Sequence, residues 1–410
     1  MRTTLKFLLN ILFTITLLAC QSHQLSQTDQ RAEINQNVLN IRYQEILKAI
    51  QHFQNSLNLQ QQKSLIQPFD HPHRTRGFCY VLAHCKTEYV GLRMRDLNAG
   101  QKYALNELLM KALSGEGYSR AVHTMNREWL LEEMENAHRV DPKNHPVIGS
   151  PEVPNWQPPL QRGAADYYIA IFGEPDFIQS KSTVWGLRFE GHHLTLNLTF
   201  GEKNGQTSIG VTPIFFGASP MAIPKAPMSK KEYPHWHAQE SQQTLQRESW
   251  LARSFLKTLT QQQRQRSQWN ALPTAELMGG TAVPLDANVF LQNQRPGQKI
   301  QDLSKTQQAL LWDFIEAFAL IQNTHAVPWE ELKNQIEHSR VWWFGDIQDE
   351  HAELYIRVQS PRYLVELLQA NTFGVVSDVK ANHVHASFRD LKSDWDFNPL
   401  SEHLKIHHAD

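Results

Sequence analysis

The 410-residue sequence has no excess of charge of either sign and very little cysteine. Its formal net charge is −1, and it contains three cysteines. A chain without a basic surplus has no electrostatic reason to bind nucleic acid. It also lacks G-x-S-x-G, H-E-x-x-H and P-loop motifs, so the common signatures of hydrolases and nucleotide-binding proteins are missing. What remains is an ordinary globular composition, 41% hydrophobic and 20% charged, with enough material for a large core.

The one long apolar run lies at the N-terminus, where "FLLNILFTITLLAC" follows Arg2 and Lys6. This layout is typical of a signal peptide, because the run is too short and ends too abruptly for a spanning helix. The letters "LLAC" resemble a bacterial lipobox, which predicts a signal peptide over 1–19 and a lipidated Cys20. Residues 20–37 would then be the lipidated cysteine and a flexible tether. An ordinary secretory signal that happens to contain a cysteine is the alternative.

Residue Gln21 bears on location. By resemblance to known sorting rules, the absence of aspartate after the lipidated cysteine favours the outer membrane of a two-membraned cell. The sequence therefore predicts a protein anchored by lipid in the cell envelope, facing the periplasm or the exterior, with the membrane as its partner through that lipid.

The other two cysteines, Cys79 and Cys85, lie close together in "CYVLAHC". An exported protein can keep disulfides, and this short loop would gain roughly 2 kcal/mol from one. A metal site using His84 is the alternative, although the spacing is not a familiar zinc pattern. We expect a disulfide.

Secondary-structure patterns predict an α+β fold over 38–410: a single large domain with an antiparallel or mixed sheet and helices packed around it. Asn98 and Gln101 form a capping pair before an apolar helical stripe. Strand patterns cover "STVWGLRFEGHHLTLNLTF" and a C-terminal meander that ends in "NHVHASFRD". No internal repeat is evident in the sequence.

The segment "NHVHASFRD" is the strongest chemical signal. Read as a strand, it separates its side chains onto two faces. The polar face carries His383, His385, Ser387 and Arg389, and the apolar face carries Val384, Ala386 and Phe388. Burying such a polar face without partners costs free energy. It therefore needs water, a charge network with carboxylates such as Asp390 and Asp394, or a metal ion.

Other histidines strengthen the metal interpretation. In "GHHLTLNLTF", His193 would share a polar strand face with Asn197. His192 would point toward the leucine face and be structural, unless the strand carries a bulge there. In "SEHLKIHH", His403 and His407 lie one helical turn apart. Imidazole ligands suit zinc or copper. We expect His193 within about 10 Å of His383 and His385, with His403 or His407 completing the site; a solvated C-terminal tail is the alternative for the last pair.

Several separated motifs together resemble one known family, that of domain of unknown function number 3500. They include the segments "WGLRFEGHHLTLNLTF", "TPIFFGASP", "LSGEGY" and "IFGEP", and the Asn-His-x-His…Arg-Asp pattern of Asn382 to Asp390. The resemblance runs from about Phe69 to His408. The stretch "LKSDWDF" departs from it, because the family is expected to have a proline and an Asp-Tyr-Gly stretch there. The resemblance implies no activity, since none is assigned to the family.

Two functions therefore stay open. The first is a metal-dependent enzyme, hydrolytic or of the oxidative copper type, in which Asn197 and Arg389 support the ligands or contact a small-molecule substrate. The second is a non-catalytic binding or scaffold lipoprotein with an envelope partner, in which the histidines are structural or hold a metal without chemistry. A metal with an open coordination position favours the first, and a closed four-ligand site favours the second.

The lipobox gives a direct test. Wild-type protein should partition into detergent and incorporate labelled palmitate in a bacterial host, because several acyl chains hold a protein stably on a membrane. Cys20→Ala should do neither. Labelling is measured by autoradiography of the purified chain. Equal labelling of the variant and the wild type would contradict the predicted lipid anchor at Cys20.

Overall fold

The structure is a computed structural model that describes most of the chain after the N-terminal segment. The described residues are 35–78, 89–140, 163–175, 184–203, 206–222, 244–271, 296–319, 329–370 and 381–395. Cys20, Cys79, Cys85, His403 and His407 lie outside them, so the predictions on lipidation, on the disulfide and on the C-terminal histidine pair stay predictions.

Eight α-helices are found in the described ranges. They are α1 (35–55), α2 (Leu59–Leu65), α3 (Ala99–Ala112), α4 (Gly115–Val140), α5 (Gln246–Lys257), α6 (Gln261–Ser267), α7 (Lys305–Ala319) and α8 (Trp329–Glu337). The predicted capping pair is confirmed, because Asn98 and Gln101 cap the first turn of α3 reciprocally. Among the helices described, none is long and apolar enough to cross a bilayer.

Twelve strands make up one sheet. They are β1 (Ile66–Gln67), β2 (Leu92–Arg93), β3 (Tyr168–Phe172), β4 (Trp185–Gly191), β5 (Leu194–Lys203), β6 (Gln206–Gly210), β7 (Ile214–Ala218), β8 (Gln298–Lys299), β9 (Arg340–Gly345), β10 (Leu354–Gln359), β11 (Tyr363–Ala370) and β12 (His383–Asp390). The sheet is mixed and open, which confirms the predicted α+β class. The C-terminal meander is confirmed as β10, β11 and β12.

The two halves of the sheet have the same order of strands, counted from each edge toward the centre. It runs β1-β3-β4-β5-β7-β12-β11-β10-β9-β8, so that β7 and β12 meet in the middle. Each half contains three successive antiparallel neighbours leading to the centre, β3-β4-β5 in one half and β9-β10-β11 in the other. The two outermost pairings also correspond: β2 and β8 are short strands antiparallel to β3 and β9.

Each half also has one parallel pairing near its edge of the sheet. Ile66 pairs in parallel with Ile171 of β3, and Gln268 pairs in parallel with Trp343 of β9. These positions follow α2 and α6, which are both seven residues long. The two halves of the described sheet therefore share one arrangement, a repeat that is not evident in the sequence.

Buried glutamines make equivalent side-chain hydrogen bonds in the two halves. In the first half, Nε2 of Gln101 donates to the Ser56 carbonyl at 3.0 Å and to Oε1 of Gln61 at 2.9 Å. In the second half, Nε2 of Gln307 donates to the Thr258 carbonyl at 2.9 Å and to Oε1 of Gln263 at 3.0 Å. In both halves the two glutamines also close capping boxes or cap contacts at the helix starts.

The repeat is hidden in the sequence because the connections differ in length. Residues 141–167 separate α4 from β3, whereas residues 338 and 339 alone separate α8 from β9. No constant spacing therefore relates the two halves.

The two faces of the sheet differ in chemistry. One face packs against the helices in a large apolar core that includes Leu194, Phe216 and Ala386. The opposite face holds a smaller aromatic cluster around Phe215 and Tyr355 together with buried polar groups. These polar groups require partners, because an unpaired buried polar group costs free energy.

The repeated glutamine network predicts matched effects on stability. Gln101→Ala and Gln307→Ala should each lower the free energy of unfolding by about 1–3 kcal/mol, because each leaves buried backbone and side-chain groups without a partner. The exposed Gln60→Ala and Gln262→Ala serve as controls and should change it little. Urea denaturation measures all four. A large loss for only one of the buried glutamines would show that the two networks are not equivalent in energy.

Candidate metal centre

Three histidines meet where β5, β7 and β12 lie side by side. His193 immediately precedes β5, and His383 and His385 belong to β12. The Nε2 atoms of His193 and His383 are 3.2 Å apart, and the ring centres of His193 and His385 are 5.5 Å apart. One ring nitrogen from each histidine lies within 4.8 Å of the other two. All three side chains are buried.

Gly217 of β7 makes this meeting possible. It pairs with His385 on one side, and its N–H donates to the His193 carbonyl at 2.8 Å on the other. A Cβ atom at this position would lie 2.8 Å from Cδ2 of both imidazoles. Because glycine has no side chain, the two rings can approach each other above β7.

Glu128 of α4 holds the first histidine from the helical side. Its Oε1 contacts Nδ1 of His193, and its Oε2 lies 3.0 Å from Nδ1 of His192. A carboxylate only accepts hydrogen bonds, so Nδ1 of His193 carries the proton. In the neutral ring, Nε2 is then left with its lone pair facing His383. This is the arrangement of a carboxylate, a histidine and a metal ion in many metal sites.

The electrostatics of Glu128 depend on its two histidines. Burial by itself raises the pKa of the Glu128 carboxyl, but the charges and hydrogen bonds of His192 and His193 outweigh burial and lower the pKa well below its usual range. The folded protein thus takes up a proton here at lower pH than the unfolded chain does. This interaction stabilises the fold above the ordinary carboxyl pKa, and the stabilisation is lost as the pH falls below it.

The distance between the two Nε2 atoms suits a shared ion. Zinc binds imidazole nitrogen at about 2.0–2.1 Å in tetrahedral geometry, which places two ligand nitrogens roughly 3.3 Å apart. The observed 3.2 Å between His193 and His383 is close to that separation. A direct hydrogen bond between the rings would give a similar distance, so the third histidine and the carboxylate are what distinguish a metal site from a simple pair.

The family comparison agrees with the motifs in the sequence. Residues 40–397 match the family described as "Protein of unknown function (DUF3500)". The chain belongs to the DUF3500 family. No curated protein and no solved structure matches it.

The corresponding corner of the second half of the DUF3500 chain carries an ion-pair cluster instead. Arg362 occupies the β10–β11 turn, as His193 occupies the β4–β5 turn, and it too contacts a glutamate of the preceding helix, Glu331 of α8. Nε of Arg362 also donates to Asp390 at 2.8 Å. The same place in the fold is thus a salt-bridge cluster in one half and a histidine cluster in the other.

The predicted proximity of the histidines is confirmed, since His193 lies well within 10 Å of His383 and His385. Their role as metal ligands stays a prediction. Residues 192 and 193 form the turn between β4 and β5, and His192 shares Glu128 of α4 with His193. The helix α4 packs on the leucine face of the sheet, and the structural role expected for His192 stays a prediction.

Asn197 and Arg389, predicted as supporting groups, have other described partners. Nδ2 of Asn197 donates to the Pro213 carbonyl at 2.7 Å. Nε of Arg389 donates to Asp394 at 2.7 Å, and burial raises the pKa of Asp394 to about 6 although Arg389 opposes this rise. The carboxylates considered as partners of the histidines, Asp390 and Asp394, thus bind arginines.

Sequence reasoning missed Glu128 and Gly217. Glu128 did leave a signal, because it interrupts the apolar stripe of α4 formed by Ala121, Met125 and Leu131. A carboxylate within such a stripe is buried and needs a partner. Gly217 left none, since its importance depends on the neighbouring strands.

Gly217 gives the sharpest test of this geometry. Gly217→Ala should lower the free energy of unfolding by about 1–3 kcal/mol, because the added methyl group overpacks two imidazoles. Thermal denaturation of the metal-free protein measures this. Gly186→Ala in β4 is the control, since its Cβ would lie no closer than 3.4 Å to any neighbour. Equal stability of Gly217→Ala and wild type would contradict the close packing of His193 and His385.

Proposed function

We propose that this DUF3500 protein binds a transition-metal ion, zinc or copper, through His193, His383 and His385. The proposal is carried by one observation: His193 presents Nε2 to His383 at 3.2 Å while its Nδ1 contacts Glu128. A buried carboxylate on one nitrogen fixes the tautomer and directs the lone pair of the other nitrogen toward the place proposed for the ion. Three imidazoles in a buried corner form a donor set that suits both metals.

Three protein ligands favour an enzyme over a structural site. Structural zinc sites are closed by four protein ligands, whereas catalytic sites keep one position for water or substrate. Within the described residues, two groups could hold an ion: His193 with His383 and His385, and Glu128 with His192 and His193. The proposed site uses the first. A metal in this group would supply a water of lowered pKa or a polarised substrate oxygen, or, with copper, oxidative chemistry.

A binding or scaffold protein is the second candidate. His403 or His407 could close the coordination shell as a fourth ligand, and the protein would then hold the ion without exposing it to a substrate. The burial of all three histidines favours this candidate, since none has more than 7% of its surface exposed. Metal loading of His403→Ala and His407→Ala separates the two candidates, because only a closed site loses affinity in these variants.

The place of action that we propose is the cell envelope. It rests on the signal-peptide pattern and on Cys20 at the end of the apolar run. A periplasmic or external location would expose the site to the metals and substrates of that compartment, with lipid holding the protein on the membrane.

Metal content of single variants tests the proposed function. Protein purified without a histidine tag and loaded with zinc should contain one ion per chain by elemental analysis. His383→Ala and His385→Ala should each lower the affinity at least tenfold, because each removes a ligand. Metal binding should also weaken as the pH falls, since a protonated imidazole cannot bind an ion.

The control for these variants is His123→Ala. This histidine lies exposed on α4, the helix that carries Glu128, so its loss should leave the metal content unchanged. Wild-type protein that binds neither zinc nor copper above the level of His383→Ala would overturn the proposal.

A further inference from the structure

The β4–β5 hairpin, whose turn carries His192 and His193, contains buried polar atoms without a partner. Nη2 of Arg188 donates to Oε2 of Glu190 at 2.7 Å, and the same guanidinium donates to the carbonyls of Arg76 and Gly77. Three other atoms have no hydrogen-bond partner among the described residues: Nε of Arg188, Oε1 of Glu190 and Oγ1 of Thr195. These three side chains are at least 97% buried.

The three atoms belong to one patch of the sheet. Glu190 and Thr195 are directly opposite each other in the β4–β5 pairing, and Arg188 is two residues from Glu190 on the same face. Thr195 is in turn two residues from His193 and pairs with Phe215, whose ring centre lies 5.2 Å from that of His385. The patch, which we call the hairpin subsite, therefore lies on the same sheet face as the histidine cluster and next to it.

The second half of the chain shows the same place in a closed form. There, Nε of Arg357 donates to Oε1 of Gln359 at 2.9 Å, and Nη1 donates to Glu366 at 2.9 Å. Leu364 is opposite Gln359, where the first half has Thr195 opposite Glu190. Without a ligand, this fold can thus pair its buried arginine fully and fill the remaining place with an apolar side chain.

The β4–β5 hairpin has unpaired buried atoms where the β10–β11 hairpin has paired ones, and this difference indicates a ligand. Buried polar atoms in folded proteins have partners, supplied by protein, water or a bound molecule. The three atoms offer one donor, one acceptor and one hydroxyl that can do both. Glu190 faces two guanidinium groups, that of Arg188 at 2.7 Å and that of Arg76 at 3.4 Å. One open atom belongs to a guanidinium and another to a carboxylate, so neither an anion nor a cation satisfies both. A hydroxyl group is the neutral group that can accept from Arg188 and donate to Glu190.

We infer that the hairpin subsite binds the hydroxyl groups of a neutral polyol or sugar while the histidine-bound metal engages the same molecule. The inference rests on the proposed metal site. The substrate class of the site is thus a hydroxyl-rich neutral molecule.

The test uses zinc-loaded full-length protein and D-glucose as the probe, observed by saturation-transfer NMR and titrated by calorimetry. Thr195→Val removes only the hydroxyl, and Glu190→Gln installs the residue of the closed counterpart. Both should weaken glucose binding at least tenfold while the zinc content stays at the wild-type level. Thr195→Val should also be as stable as wild type or more so without glucose, because it removes an unpaired buried hydroxyl.

Thr199→Val is the matched control. Its hydroxyl already donates to the Trp395 carbonyl at 2.9 Å, so this variant should lose stability but bind glucose as wild type does. Absence of saturable glucose binding, equal binding by Thr195→Val, or a crystal structure with only a water molecule at the three atoms would overturn the inference. A wild-type protein without zinc would instead overturn the metal site, and the zinc measurement distinguishes the two failures.

Discussion

The antiparallel pairing of β7 with β12 joins the two halves of the sheet, and the histidine cluster depends on it. Through this pairing His385 lies beside Gly217, and β7 in turn brings His193 from the other side. The three histidines therefore come from both halves of a repeated fold. A shift of β12 by one residue would turn both of its histidines into the apolar core, so the large core on the helical side also fixes the register of the site.

The two halves show how one architecture can carry different chemistry. The β4–β5 turn positions His193 against a helix glutamate, and the β10–β11 turn positions Arg362 against another. Arginine cannot lose its proton in a protein, so the second corner can only be an ion-pair cluster. Imidazole at the equivalent place can bind an ion. The two hairpins also differ in the pairing of a buried arginine. Nε of Arg357 in the β10–β11 hairpin donates to Gln359, whereas Nε of Arg188 in the β4–β5 hairpin has no partner among the described residues.

Burial of polar groups is the cost of this arrangement. Arginine, glutamate and histidine side chains lie almost fully buried on the face away from the helices, each requiring partners to offset desolvation. In the second half, Arg357 is paired directly with Gln359 and Glu366. In the first half, Glu128 pairs with two histidines, and the proposed ion and its ligand would supply further partners. The proposed function is thus associated with incomplete pairing within the protein itself.

The sequence by itself determined the class of the fold and the cap of α3, because helix ends and strand alternation are local properties. It also determined that His383 and His385 share one strand face, since the period of a strand is two. Tertiary structure alone decided the remainder. Glu128 and Gly217 matter only because distant elements meet them, and the repeat became visible only in the strand order, where connections of unequal length no longer conceal it. The partner of His192 was also decided by tertiary structure, because the turn between Gly191 and Leu194 lies beside Glu128 of α4.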